Sequence, residues 1–99
     1  MANMSANCNF VGLKIPVQIL RENDDFIAYT PAFDISTSGK SYEEAKKRFS
    51  ELVEIFLEET TEAGTLETAL EELGWKCVQK KWMPPVVVAQ EMQEIKMPA

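Results

Sequence analysis

"DDFIAYTPAFDISTSGKSYEEAKKRFSELVEIFLEE", residues 24–59, changes its hydrophobic period in the middle, and that change decides the fold. In its first part Phe26, Ala28 and Thr30 alternate with Ile27 and Tyr29, the two-residue repeat of a strand with two distinct faces. Pro31 closes that strand, and "FDISTS", residues 33–38, supplies another, with β-branched Ile35 and Thr37 among turn formers. From Ser41 the spacing becomes helical: Ala45, Phe49, Leu52, Val53, Phe56 and Leu57 fall on one stripe. A helix is predicted over 41–63, facing the sheet and stopped by Gly64. Glu43 with Lys47 and Glu44 with Arg48 stand four apart in the favourable order on its outer side.

Upstream, "LKIPVQIL", residues 13–20, is rich in Ile, Val and Leu and reads as a strand. Pro16 cannot donate a ladder hydrogen bond, so this strand belongs at an edge or carries a bulge. "RENDD", residues 21–25, is the loop joining it to the strand at 26–30. Downstream, Thr65 is placed to cap a shorter helix with Leu66, Ala69, Leu70 and Leu73 on one face and Gly74 as its stop. "WKCVQKKW", residues 75–82, reads as a fourth strand ended by Pro84-Pro85, with Val86 to Val88 as a further edge strand. The expectation is an α+β domain: a three-stranded antiparallel meander, a long helix, a short helix and a fourth strand, in the order β-β-β-α-α-β. Residues 1–12 are an N-terminal extension, 13–83 the domain and 84–99 a C-terminal tail.

Composition narrows the function. Ninety-nine residues support one modest core, and 45% hydrophobic with 26% charged residues is ordinary for a globular chain. The net charge of −6 argues against direct nucleic acid binding and suits a basic partner, although moderate negative charge also serves solubility alone. With no histidine, the commonest general base near neutral pH and the commonest metal ligand are missing. Cys8 and Cys77 form no C-x-x-C pair, so two reduced thiols in a cytoplasmic protein are expected, with Cys77 packed as a small hydrophobe. The first ten residues lack a basic region and an apolar run, and no stretch approaches the ~20 apolar residues of a membrane helix. Asn3-Met4-Ser5 matches a glycosylation sequon but carries no weight without a secretory signal.

"STSGKS", residues 36–41, ends like a phosphate-binding loop. The full pattern needs a glycine five residues before Gly39, where Asp34 stands and would repel phosphate. Ser41 and Glu44 instead make S-x-x-E, a capping box, with Gly39 supplying the sharp turn into the helix. Asp24, Asp25, Asp34 and Glu54 can be drawn as a metal-dependent nuclease cluster, since two metal ions on carboxylates catalyse hydrolysis without histidine. Sixteen acids in so short a chain make accidental clusters common, and Asp24 and Asp25 fit a turn better. Trp75 reads as core. Trp82, Met83, Val86, Val87 and Val88, around a proline pair, are the candidates for contact between subunits.

The succession Phe26, Ala28, Pro31, Asp34, Gly39, Ser41, Glu44 and Ala45 resembles the HicB-type antitoxin family, and "AGTLETALEELGW", residues 63–75, is similar to that family's second helix and turn. The resemblance spans residue 13 to about residue 82. It implies a partial ribonuclease H-like fold without nuclease activity or cofactor, binding a small basic HicA-type ribonuclease toxin and covering its RNA surface. Only 17 residues follow Trp82, too few for the DNA-binding module that many family members carry, so the resemblance does not extend to operator binding. Asp24, Asp25, Asp34, Glu54 and Glu58 are the expected partner-binding residues, and a homo-oligomer is expected. A lone HicB-like module with another partner, or a divergent nuclease, are the competing expectations.

Overall fold

The computed structural model describes residues 8–10 and 12–98. Asn3 and its sequon, with most of the expected N-terminal extension, lie outside the described residues. Three antiparallel strands form a meander in the order β1-β2-β3: β1 at Gln18–Glu22, β2 at Asp25–Thr30 and β3 at Ile35–Gly39. Two helices follow, α1 at Tyr42–Ala63 and α2 at Leu66–Glu72. The chain then makes a separate hairpin of β4, Lys76–Val78, and β5, Lys81–Met83. The class and the order agree with the sequence; several boundaries do not, among them the third strand, which begins at Ile35 rather than Phe33.

The first strand starts at Gln18 rather than Leu13, downstream of Pro16, and runs on to Glu22. The expected loop thereby shrinks to Asn23-Asp24, with Asn23 in the left-handed region that asparagine tolerates. The fourth strand divides in two at Gln79 and Lys80, both left-handed, because two residues of positive φ provide the tight reversal a hairpin requires. Val86 to Val88 form no strand and lie exposed.

Register explains the core. Ala28 stands opposite Ile19 on β1 and Thr37 on β3, so the face carrying Phe26, Ala28 and Thr30 meets the helix, as the alternation predicts. Ala28 and Ala45 are fully buried, and with Phe49 they let α1 lie close on the sheet. The opposite face, with Leu20, Ile27 and Tyr29, carries no helix.

A second, aromatic cluster closes the end of the sheet, where Ala32, Phe33, Leu70, Trp75 and Trp82 are buried. The Phe33 and Trp75 rings stack at 5.1 Å between centroids, and the Trp75 Nε1–H donates to the Ala32 carbonyl at 2.6 Å. Phe10 lies 5.5 Å from Trp75. Asn9 bridges to the hairpin: its N–H donates to the Lys80 carbonyl at 2.8 Å and its carbonyl accepts from the Trp82 N–H at 3.0 Å. Residues 8–10 thus pack with the domain rather than extending from it.

Beside that bridge Cys8 and Cys77 form a disulfide across 69 positions. The expectation of two separate reduced thiols is overturned, and Cys77 is exposed rather than packed in the core. Local spacing carries no trace of such a pairing, which arises only when the N-terminal segment lies along the hairpin.

Gly39 does a different task from the one its sequence suggests. It is the last residue of β3 and has no positive φ; a side chain there would place Cβ 2.6 Å from the Ala45 nitrogen. Its hydrogen permits close approach of strand and helix rather than a turn. Ser41 is the N-cap as expected, its Oγ accepting from the Glu44 N–H at 3.0 Å. The Glu44 carboxylate reaches back to the Lys40 N–H, one residue before the cap. Gly64, at φ 73°, ends α1, with the Thr65 N–H donating to the Thr60 carbonyl at 2.8 Å. Thr65 makes no side-chain cap on α2, contrary to the sequence expectation.

Candidate protein-binding surface

The structure separates the carboxylates that the sequence put together. Asp24 sits in the β1–β2 turn and Asp25 opens β2. Asp25 is engaged by the Lys40 ammonium at 2.9 Å. Asp34 lies at the other end of the sheet, in the turn before β3, with left-handed backbone. Its Oδ1 accepts from the Tyr29 hydroxyl at 3.1 Å. The Tyr29 pKa is raised above its ordinary value of 10.0, first by desolvation and then by the hydrogen bond and charge of Asp34. Glu54 and Glu58 are exposed on the outer side of α1. Among the described residues no three acidic or cysteine side chains converge as metal ligands would. Asp24 and Asp34 are thus turn positions at opposite ends of β2, Asp25 is an ion-paired strand residue, and Asp34 is hydrogen-bonded.

Glu54 and Glu58 belong to something larger. Between Arg48 and Lys76 the chain has no basic residue and eight glutamates, half of its 16 acids. Glu51, Glu54, Glu58, Glu59 and Glu62 stand exposed on α1; Glu71 and Glu72 are exposed on α2, and Glu67 is half-buried there. Among the described residues none of the eight takes part in an ion pair. The two that form are Lys40–Asp25 and Arg48–Glu44, the latter at 3.3 Å, while Glu43 and Lys47 make none. Neither helix has a basic residue in its last turn. Of these acids Glu62 lies in the last turn of α1, where the backbone dipole is already negative and an unopposed carboxylate costs stability. The signal was present in the sequence as the missing bases, not as the acids themselves.

The candidates for subunit contact divide. Trp82 is 2% exposed, inside the aromatic cluster, so it is not available to a second molecule. Met83, Val86, Val87 and Val88 are exposed. Beside the free edge of β3 lies an open groove of about 450 Å³ between Ile35 and Ser36 on one wall and Leu52, Ile55 and Phe56 on the other. Asp34 and Glu59 rim it. Leu52, expected in the helix stripe, is 37% exposed because it forms this wall.

No helix is long and apolar enough to cross a membrane among the described residues. No family model, curated protein or solved structure matches the chain.

Proposed function

We propose that the domain is a non-catalytic protein-binding module that takes a small basic protein on the glutamate surface of α1 and α2. The observation that carries this reading is the run of eight glutamates with no base, set against the dipole of α1. The resemblance to HicB-type antitoxins supports a HicA-type ribonuclease toxin as the partner, neutralised when the acidic surface covers the groups that would hold RNA phosphates. Direct nucleic acid binding by this chain is disfavoured by the same charge. The reading takes the cytoplasm as the compartment, and the Cys8–Cys77 bond weighs against it, since disulfides persist in oxidising compartments.

The test is capture from the native host on tagged protein, followed by calorimetry with the retained partner. A small basic protein with ribonuclease activity, released by salt and silenced by this chain, is the expected result. The double variant Glu58→Gln/Glu62→Gln is expected to bind it less well while raising stability by about 0.3–1 kcal/mol, through Glu62 in the last turn. Unchanged affinity in that variant would exclude this surface; recovery of no basic partner would exclude the reading.

A further inference from the structure

The fold leaves a free strand edge and an apolar arm unmatched within one chain. β3 hydrogen-bonds to β2 on one side only. On its outer side the Ser38 carbonyl accepts from the Arg48 guanidinium at 3.2 Å, and strand alternation turns the Ser36 N–H and C=O the same way, toward the groove. Free edges are normally blunted by charge or proline. β1, the other edge, has Arg21 and Glu22, with Pro16 just before it. β3, Ile-Ser-Thr-Ser-Gly, has neither charge nor proline of its own; the Arg48 guanidinium occupies its Ser38 end and leaves the Ser36 end to the groove. Its groove offers Leu52 and Ile55, 37% and 47% exposed, as an apolar wall.

The arm is residues 84–98, which form neither helix nor strand. Val86, Val88 and Met92 are 80%, 94% and 100% exposed. The molecule is 55 Å long and 22 Å across its thinnest dimension, with a radius of gyration of 16.5 Å. A compact chain of this length has roughly 13 Å, so the arm projects from the body. Pro84 and Pro85, half-buried at its base, fix their φ angles and stiffen its exit beside buried Trp82. Residues 84–90, Pro-Pro-Val-Val-Val-Ala-Gln, carry no charge that the acidic rim at Asp34 and Glu59 would repel.

We infer that the arm of one copy adds to β3 of a second copy, with Val86 to Val88 pairing as a fourth strand over Leu52, Ile55 and Phe56, and that the exchange is reciprocal. Each copy supplies one arm and one groove, so a two-fold pair leaves neither unfilled. The direction of the arm, away from its own body, favours a second copy over self-docking. The inference does not depend on the basic partner proposed above, and its test uses this chain alone.

Sedimentation of the full chain over a range of concentrations should show a dimer. Val88→Asp spoils the arm and Ile55→Asp the groove; both positions are exposed, so circular dichroism should show each variant folded. Each alone should raise the dimer dissociation constant about a hundredfold or more, because a carboxylate would enter an apolar contact. Mixing the two should restore hetero-association, since that pair retains one intact arm facing one intact groove. A monomeric wild type overturns the inference, whether its arm is protease-resistant, meaning self-docked, or cleaved, meaning free. So does a dimer that survives both substitutions, or variants that fail to complement on mixing.

Discussion

Alanine at Gly39 would test whether strand and helix are held apart by no more than a hydrogen atom. The added Cβ would stand 2.6 Å from the Ala45 nitrogen and 3.0 Å from both the Ala45 Cα and the Glu44 carbonyl carbon. Optimal carbon contacts lie at about 3.5–4.0 Å, so relief requires a shift of nearly 1 Å. All three atoms are backbone in the first turn of α1, and none can rotate aside. Shifting that turn opens the contact among Ala28, Ala45 and Phe49. Overpacking of this kind costs about 1–3 kcal/mol, occasionally more. Against it stands a gain of about 0.4–1 kcal/mol, because alanine restricts the unfolded chain and Gly39 has no positive φ to strain it. Overpacking wins, for a net loss of roughly 1–2 kcal/mol, or some 5–15 °C in Tm for a domain of this size. Urea unfolding would show a lower midpoint at unchanged slope. Gly12→Ala, where a Cβ meets nothing within 4 Å, is the control and should stay within about 0.5 kcal/mol of wild type. A Gly39→Ala midpoint equal to or above wild type would refute the close-approach account.

Ser41→Ala removes the hydroxyl that accepts from the Glu44 N–H and should lower unfolding free energy by roughly 0.5–2 kcal/mol; an unchanged urea midpoint would mean water caps the helix equally well. Reducing the Cys8–Cys77 bond frees a loop of 69 positions and should lower stability by roughly 4 kcal/mol on the chain-entropy model, with thiol titration rising to two per chain; identical melts with and without reductant would contradict it. Asp34→Asn removes the Asp34 charge behind the raised Tyr29 pKa, so the phenol should titrate at lower pH in ultraviolet absorbance than in wild type. In wild type, a folded pKa above the unfolded one means that this contribution to stability is present below pH 10 and lost as pH rises through the folded value.

Much that depended on near neighbours was legible, the Thr65 cap excepted. The alternation at Phe26 to Thr30 assigned the faces of β2, the helical stripe from Ala45 to Phe56 located α1, and Ser41, Glu44 and Gly64 marked its ends. Gly39 was noticed for the wrong reason, since the need for close approach is visible only once β3 and α1 are packed. The hairpin at Gln79-Lys80 carries no glycine, asparagine or aspartate to announce a turn, and its positive φ angles are imposed by the pairing of β4 with β5. Trp82 beside two prolines resembled a surface feature, yet the Asn9 bridge and the aromatic cluster enclose it. The disulfide was illegible for the same reason, its two cysteines being joined through packing of residues 8–10 against the β4–β5 hairpin. In the candidate site, residue identity alone does not show that the sheet places Asp24 and Asp25 at one end of β2 and Asp34 at the other.

The placement of the glutamates bears on why they are there. Solubility depends on net charge and tolerates any arrangement, so a chain selected for solubility alone could scatter its acids among its lysines and lose nothing. Here five of them fall on α1 after Arg48, where bases would neutralise both their mutual repulsion and the negative dipole end, and none is present. The dipole contact of Glu62, in the last turn, costs about 0.3–1 kcal/mol, a noticeable fraction of the few kcal/mol that a domain this small retains. A basic partner would reverse that sign: its lysines and arginines would do for the complex what a basic last turn does for an ordinary helix. If the proposed basic partner binds this surface, the stability of the domain should rise by more than the buried area alone would provide.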